Sequence, residues 1–173
     1  TDKSAHIIQE TLVDSPFPTQ FERHENMGVV YTRNKALQQI KGDFFLFVDS
    51  DNYLDQDYIE KLYKTLQEKQ AYTNLFDPEK NSYYLQARDF ELVSFLASNY
   101  IDNCSLIRRT AAAETEYDVN LNHQKLEDYD FFLNLIINKH AKAVYEPNLK
   151  LNYRVFEENS ITFFPVYMIM FLE

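Results

Sequence analysis

The spacing of apolar residues divides the chain into alternating helical and extended segments. Residues 44–48 form a continuous apolar run of strand length, which a buried central strand of a parallel sheet requires. Elsewhere, apolar positions at helical spacing predict helices and shorter apolar segments predict strands. The predicted helices cover residues 4–12, 28–40, 55–69, 90–97 and 126–138. The predicted strands cover residues 20–23, 44–48, 71–76, 81–85, 104–107, 141–145 and 149–153.

Helices that alternate with strands predict an α/β fold, in which helices flank a central, mostly parallel sheet. The 173 residues are enough for one domain with a sizeable core. Because the sequence holds only 2 glycines and 5 prolines and no low-complexity stretch, it shows no obvious linker. We therefore expect a single domain over residues 1–173.

Composition narrows the classes of partner. Aromatic residues make up 16% of the chain without any Trp, which suits a packed core or sugar-stacking surfaces. A net charge of -10 without a basic stripe argues against nucleic acid and anionic membrane surfaces as main partners. Cys104 is the single cysteine, and no apolar run reaches the roughly 18 residues that span a bilayer. We expect a cytoplasmic protein, with the inner face of the membrane as a further location.

The acidic sequence after the predicted central strand, Asp49-Ser50-Asp51-Asn52, is the first candidate site. In open α/β sheets, ligands bind at the carboxyl ends of the strands. If the backbone there is extended, Asp49 and Asp51 point to the same side and can face one ligand. Two hard oxygen donors suit Mg²⁺ or Mn²⁺. The alternative is an ordinary turn, because Asp, Ser and Asn are favoured turn residues.

Three further segments carry polar residues suited to phosphate binding or proton transfer. Arg33 and Asn34 lie in a predicted helix and could contact a phosphate and a nucleotide, or could simply face solvent. Glu127 and Asp128 open another helix and could supply a general base, although the helix dipole alone favours acids there. Arg154 follows the last predicted strand and could reach phosphate oxygens, or belong to a plain polar loop.

The order of these motifs resembles that of the family 2 inverting glycosyltransferases of the GT-A fold. The resemblance spans nearly the whole chain and rests on Asn26-x-Gly28, Thr32-Arg33-Asn34-x-Ala36-Leu37, the apolar strand, Asp49-Ser50-Asp51, Glu127-Asp128 and Tyr153-Arg154 with Ser160. It implies transfer of a sugar, with inversion, from a nucleotide-sugar donor such as a UDP-sugar. The implied acceptor is a hydroxyl of a saccharide or lipid-linked acceptor, in bacterial-type surface polysaccharide or glycoconjugate synthesis.

The resemblance also implies a role for each matching residue. Asp51 would hold the Mg²⁺ or Mn²⁺ that binds the donor diphosphate, and Asp49 would contact the ribose or share the metal. Asp128 would be the catalytic base, and Glu127 would help to position the acceptor. Arg33 would lie near the nucleotide, where Asn34 and Arg154 are the further candidate contacts.

The chain departs from the family's pattern in two places. The family begins with two strands that carry a Pro-x-Tyr-Asn-like motif and an Asp-Asp-Gly-Ser sequence, whereas this sequence begins at Thr1 with what looks like the following segment. We therefore expect a fold without those strands, weak nucleotide binding, and self-association through exposed strand edges. Many relatives also place a metal-binding His where this chain has Phe156, so the metal would rely on Asp51, phosphates and water.

Two other functions fit parts of the sequence. The segment from Phe45 to Asp51 also resembles the opening strand and nucleophile of haloacid dehalogenase-type phosphohydrolases. That motif normally lies near the start of the chain and is followed by Thr or Val, where this sequence has Asn52. The other alternative is a carbohydrate-binding domain that keeps the fold without turnover.

Overall fold

The computed structural model describes residues 3–66 and 70–154, and the helices and strands within them form a mixed α/β fold, as predicted. The sequence positions Phe156 and Ser160 lie outside these residues. In chain order the elements are α1 (Ser4–Val13), α2 (Val29–Leu37), β1 (Phe44–Phe45), α3 (Tyr58–Leu66), β2 (Gln70–Asp77), β3 (Ser82–Leu85), α4 (Leu92–Ala97), β4 (Ile107–Arg108), α5 (Glu127–Leu133) and β5 (Ala143–Asn152). Short 3₁₀ turns cover Arg109–Ala112 and Val119–Leu121, and a π-helical turn, Asn134–Asn138, continues α5.

The strands pair in two small sheets. β1 pairs antiparallel with β4, with Phe45 opposite Ile107. In the other sheet β2 lies between β3, which is antiparallel to it, and β5, which is parallel. Among the described residues, therefore, one pairing is parallel and two are antiparallel. No helix in this part of the chain is long and apolar enough to cross a membrane.

The apolar run at residues 44–48 is buried as predicted, but its pairing differs from the prediction. Phe45 and Phe47 join one buried cluster while Leu46 joins the other, so the run lies between the two halves of the core. The expectation of a parallel strand is wrong for the partner that the structure describes, since β4 runs antiparallel. A continuous apolar run records burial of both faces and carries no information about the direction of the neighbouring strand.

The core consists of two clusters of buried apolar side chains, and the contact between α3 and β5 belongs to the second of them. The first cluster includes Val30, Phe45, Phe47, Tyr72, Phe95, Tyr100, Tyr117, Phe131, Phe132 and Leu135. The second includes Leu46, Tyr58, Leu62, Leu66, Leu75, Cys104, Leu106, Leu149 and Leu151. The burial of Cys104 raises the pKa of its thiol, as expected of a structural residue.

Besides residues 44–48, three strand predictions need correction. Of the predicted strand at residues 104–107, only Ile107 lies in β4, because the chain turns at residues 103–105. Residues 20–23 are irregular and form no ladder with another described residue. The last two predicted strands are one strand, β5, interrupted by a bulge of residues 146–149 opposite Thr73. The Thr73 hydroxyl contacts the carbonyl oxygens of Leu149 and, at 3.3 Å, Glu146. Because these polar contacts replace ladder hydrogen bonds inside the bulge, the apolar pattern is broken there although the strand continues.

Helix α2 begins after a glycine whose conformation other residues rarely adopt. Gly28 has φ 88° and ψ 169°, and a Cβ atom there would lie 2.1 Å from Oδ1 of Asn122. Asn122 occupies this space because its Oδ1 accepts from the Val30 amide at 3.3 Å and its Nδ2 donates to the Met27 carbonyl at 2.7 Å. These hydrogen bonds fix the start of α2 to the segment that precedes α5.

We expect Gly28→Ala to destabilise the fold by about 1–3 kcal/mol, since this backbone region is strained for any residue with a Cβ atom. The measurement is the free energy of unfolding in urea. Asn122→Ala removes the clash and the hydrogen bonds, at a typical cost of about 1 kcal/mol. The double variant should remain less stable than Asn122→Ala alone, because the backbone strain persists; equal stability of the two would contradict the strain.

Candidate active site

The acidic sequence after β1 forms a tight turn. The Asn52 amide donates to the Asp49 carbonyl at 3.0 Å, and an antiparallel bridge between Tyr53 and Asn152 joins the turn to the end of β5. Asp49 and Asp51 are both half-buried. The sequence analysis offered two backbone geometries for this segment. The ordinary turn is confirmed, and the extended backbone, which would have pointed Asp49 and Asp51 to the same side, is wrong.

The charges of Asp49 and Asp51 nevertheless both raise the pKa of one group, the hydroxyl of Tyr153. Burial raises the pKa of Tyr153, and the negative charges of Asp102, Asp49 and Asp51 raise it further. A charge shifts a neighbour's pKa appreciably only at short range. The turn therefore brings both of its acids near one place, which a third acid, Asp102, also adjoins.

A buried arginine joins this turn to the start of α5. Arg33 of α2 is 3% exposed, yet its Nη2 lies 3.1 Å from Oδ1 of Asp49 and its Nη1 lies 2.9 Å from Oε1 of Glu127. The guanidinium also lies over the ring of Tyr117, 5.5 Å from its centroid. Burying a guanidinium is tolerated when carboxylates pair with it and accept its hydrogen bonds. Arg33 thus fixes Asp49 and Glu127 on either side of one cation.

Arg33 and Asn34 are both buried and make contacts within the protein, while the nucleotide contacts predicted for them stay predictions. Asn34 is 8% exposed; its Nδ2 donates to the Tyr117 carbonyl at 2.9 Å, and its Oδ1 accepts from the Tyr117 amide at 2.7 Å. Both polar atoms of Asn34 are therefore used on the Tyr117 backbone, and Arg33 is held by two carboxylates inside the protein. The solvent-facing alternative is wrong, since both side chains are buried.

Tyr117 connects the arginine to α5. Its ring stacks on that of Phe131, with centroids 4.2 Å apart and planes 6° from parallel. The hydrogen-bonding pattern orients Asn103 so that its amide oxygen accepts from Arg33 at 3.0 and 3.1 Å and its nitrogen donates to the Tyr117 hydroxyl at 2.8 Å. These contacts fix the guanidinium from a third side and hold α5 in place beside it.

Asp128, predicted as the base, lies in the first turn of α5 as expected. Its Oδ1 accepts from the Tyr129 amide at 2.7 Å, and its Oδ2 lies 3.5 Å from Nδ2 of Asn99. Burial, aided by the charge of Glu127, raises the pKa of Asp128 to about 6, although the positive charge of Arg33 acts in the opposite direction. A carboxyl group with a pKa near the working pH is suited to accept a proton.

Asp102 is a site residue that the sequence analysis missed. It precedes β4, and its Oδ1 accepts from the Cys104 amide at 2.8 Å. Burial, followed by the charge of Asp49, raises the pKa of Asp102 to about 7, and the charge of Asp128 contributes as well. Asp102 therefore lies close to both the turn and α5. Its only sequence signal was its place next to residues 104–107, which were interpreted as a strand.

Arg154 lies at the exposed rim of the site. Its backbone amide donates to Oδ1 of Asn52 at 3.4 Å, and its guanidinium lies 5.5 Å from the ring centroid of Tyr53. The structure therefore places Arg154 next to the turn that carries Asp51. The phosphate contact expected of Arg154 stays a prediction.

The donor set fits a cation that is shared with a diphosphate. In residues 3–66 and 70–154, no group of three or more His, Cys, Asp or Glu is arranged to hold a metal ion. Mg²⁺ bound with phosphates typically takes only one or two protein carboxylates, and its other ligands are phosphate oxygens and water. Asp49 and Asp51, two half-buried acids of one turn, provide that number.

The family model described as Glycosyl transferase family 2 matches residues 1–116, which include Arg33, Asp49, Asp51 and Asp102. The chain belongs to this family. The haloacid dehalogenase alternative is therefore wrong. The match ends before α5, so the family-2 assignment of Glu127 and Asp128 rests on the motif order and, for Glu127, on its ion pair with Arg33 of the matched region.

Two curated relatives carry glycosyltransferase names, and one solved structure shares the fold. Over 71 residues, 41% of this chain and 10% of the relative, the chain is 38% identical to Glycosyltransferase GlyA of Streptococcus pneumoniae serotype 4. Over 143 residues, 79% of this chain and 56% of the relative, it is 27% identical to an uncharacterized glycosyltransferase of Haemophilus influenzae. The crystal structure of S. aureus TarS 1-349 shares the fold with a TM-score of 0.66 at 17% identity, covering 90% of this chain and 48% of TarS. The chain thus spans at most about half of these relatives.

We expect Arg33→Met to lower stability by about 2–3 kcal/mol, because it leaves two acids facing each other without their shared cation. The same change should raise the pKa of Asp128 above about 6, since the positive charge of Arg33 lowers this pKa in the unchanged protein. Urea denaturation and an NMR titration of the Asp128 side-chain carboxyl measure the two effects.

Asn34→Ala is the matched control for this experiment. It lies on the same buried turn of α2 and removes two hydrogen bonds to Tyr117, but it removes no charge. It should lower stability and leave the Asp128 pKa in place. An equal pKa shift in both variants would mean that general loosening, rather than the charge of Arg33, sets the pKa of Asp128.

Proposed function

We propose that this family-2 chain carries the reaction centre of a glycosyltransferase that moves a sugar from a nucleotide-sugar donor to an acceptor hydroxyl. The observation that carries the proposal is the double ion pair of Arg33. It joins Asp49, in the turn suited to a donor diphosphate, to Glu127, which adjoins the candidate base Asp128. Membership in the family supports a nucleotide-sugar donor and an acceptor as the two substrates.

On the donor side, the acids of the turn would repel a diphosphate without a counter-charge. We therefore place Mg²⁺ or Mn²⁺ against Asp51, with Asp49 as the second carboxylate. A divalent cation held by these carboxylates would offset the negative charge that develops on the leaving nucleoside diphosphate. Arg33 keeps Asp49 at a fixed place for this role, and Arg154 lies at the rim, where it can approach a phosphate oxygen.

On the acceptor side, Asp128 is the proposed base. An acceptor hydroxyl is a poor nucleophile until its proton has an acceptor, and a carboxylate with a pKa of about 6 is ionised at neutral pH. Glu127 is less suited, because its carboxylate is committed to Arg33 at 2.9 Å. Direct attack of the activated hydroxyl opposite the leaving nucleoside diphosphate inverts the configuration of the transferred sugar.

The net charge of -10 favours an uncharged saccharide in the acceptor, free or lipid-linked. For the nucleotide-sugar donor that the family supports, we propose a UDP-sugar. Synthesis of a surface polysaccharide or glycoconjugate on the cytoplasmic side of the membrane is the proposed setting. The measurement that tests the class is release of nucleoside diphosphate from a panel of sugar nucleotides by the full-length protein. Saccharide binding without any nucleotide release would instead support the carbohydrate-binding alternative.

We expect Asp128→Asn to lower turnover by about 100- to 10,000-fold with little change in donor affinity, since an amide of equal size cannot accept the proton. Turnover of the unchanged protein should fall as the pH drops through about 6, because protonated Asp128 cannot act as a base. Steady-state kinetics across pH, with calorimetric donor binding, measure both effects.

The neighbouring acids are controls for Asp128. Glu127→Gln weakens the pair with Arg33 and should lower turnover less, while Asp130→Asn should be close to neutral. Residues one apart on a helix point about 100° away from each other, so the three acids cannot all face one acceptor. Near-normal turnover of Asp128→Asn, with a large loss in either control, would move the role of base to that other acid.

We expect Asp51→Ala to abolish divalent-dependent transfer while the protein stays folded, because the cation and the diphosphate lose their main protein ligand. Titration of activity with Mg²⁺ and Mn²⁺ is the measurement, with circular dichroism as the check on folding. Asp55→Ala, a few residues further along the chain and bonded to Asn152, is a control of the same charge. Full activity of Asp51→Ala at ordinary metal concentrations would remove Asp51 from the metal site.

A further inference from the structure

Strand β3 carries a β-bulge at Tyr84. The antiparallel register pairs Leu75 with Leu85 and Phe76 with Tyr83, so Tyr84 is an extra residue without an opposite residue on β2. Bulges are common at sheet edges and next to active sites, where they redirect a side chain. β3 lies at the edge of its sheet in the described part of the chain, and Tyr84 is 57% exposed.

The redirected ring of Tyr84 stacks on Tyr153, which directly follows β5. The ring centroids are 4.9 Å apart and the planes differ by 21°. Tyr153 is half-buried, so it supports one face of Tyr84 while the exposed part of Tyr84 faces outward. The pair is an aromatic surface whose orientation is fixed before any ligand arrives, which lowers the entropy cost of binding.

This pair lies beside the carboxylates of the candidate active site. The hydroxyl of Tyr153 is close enough to Asp102, Asp49 and Asp51 for their charges to act on it. The Tyr53–Asn152 bridge ties the acidic turn to the residue immediately before Tyr153. Tyr153 therefore links the ring of Tyr84 to the acidic turn.

We propose that Tyr84 and Tyr153 form a stacking platform for a neutral sugar ring of the acceptor. The apolar C–H face of a pyranose packs on an aromatic ring, while its hydroxyls stay hydrated. The neighbouring acids disfavour an anionic group on this surface, so the chemistry favours an uncharged sugar over a nucleotide. This inference rests on the proposed function for the identity of the acceptor, but the binding surface itself can be tested without turnover.

The absence of Trp from the sequence makes a direct binding test possible. Tyr84→Trp keeps an aromatic ring on Tyr153 and introduces a single indole fluorophore at the platform. The 173-residue protein is titrated with uncharged di- to tetrasaccharides that end in glucose, galactose or N-acetylglucosamine, and separately with UDP. We expect a saturable change in indole emission with at least one saccharide and, without a divalent cation to offset the acids, no change with UDP.

Tyr63→Trp is the matched control for the fluorescence experiment. Tyr63 is 54% exposed and also has one ring contact, with Phe44 at 5.3 Å, but it lies on α3 rather than at the platform. Its emission should not respond to the saccharides. If the indole emission of the Tyr84→Trp variant changes with UDP alone, the surface is a nucleobase contact. If its emission changes with none of the saccharides, the proposal is overturned.

Kinetics provide a second, independent test once a transferable acceptor is known. Tyr84→Ala should raise the acceptor KM by about 3- to 10-fold and leave kcat and the donor KM unchanged, while Tyr84→Phe should behave as the unchanged protein. Tyr63→Ala is again the control. An unchanged acceptor KM in Tyr84→Ala would overturn the platform and leave the proposed transfer intact. If the unchanged protein transfers no sugar while the Tyr84→Trp variant binds a saccharide, the proposed transfer is overturned and the platform remains.

Discussion

The organisation of the site depends on one buried guanidinium. Arg33 is inside the protein, and its charge is balanced by Asp49 from the turn after β1 and by Glu127 from α5. Neither carboxylate would be stable so close to the other acids without it. The surrounding contacts of Asn34, Asn103 and Tyr117 serve mainly to keep that guanidinium in place. The distance between the acidic turn and α5 is therefore set by an ion pair rather than by a covalent or sheet connection.

The same arrangement explains why the acids around Arg33 differ in chemistry. Asp49 and Glu127 are both paired with Arg33, whereas Asp102 and Asp128 are half-buried without a salt bridge among the described residues, and their removal from water raises the pKa of each toward neutrality. The guanidinium of Arg33 thus separates four similar carboxylates into two groups. Two of them pair with it, and the other two have a raised pKa, which suits them to proton transfer. Different tasks in one small space become possible because the environment, not the residue type, assigns them.

Sequence patterns revealed the helices and the acidic motifs, because both depend on residues that are close along the chain. The helical spacing before Leu37 and the acids at Glu127 and Asp128 are local signals of this kind. The function of Arg33, the inclusion of Asp102 and the bulge at Tyr84 depend on pairing between distant segments, and no local spacing encodes them. The direction of the strand at residues 44–48 was likewise set by its partner, Ile107–Arg108, and not by its own apolar residues.

The contact between Gly28 and Asn122 has a consequence for how this chain can change over time. The missing Cβ atom of one residue is the space that the amide of the other fills, and that amide also completes the start of α2. A side chain at position 28 is strained whether or not Asn122 is present, and loss of Asn122 leaves the Val30 amide without this acceptor, so we expect relatives to keep both residues. Since Gly28 lies inside the family match over residues 1–116 and Asn122 lies beyond it, joint retention of the pair would mark the later segment as part of the same evolutionary unit.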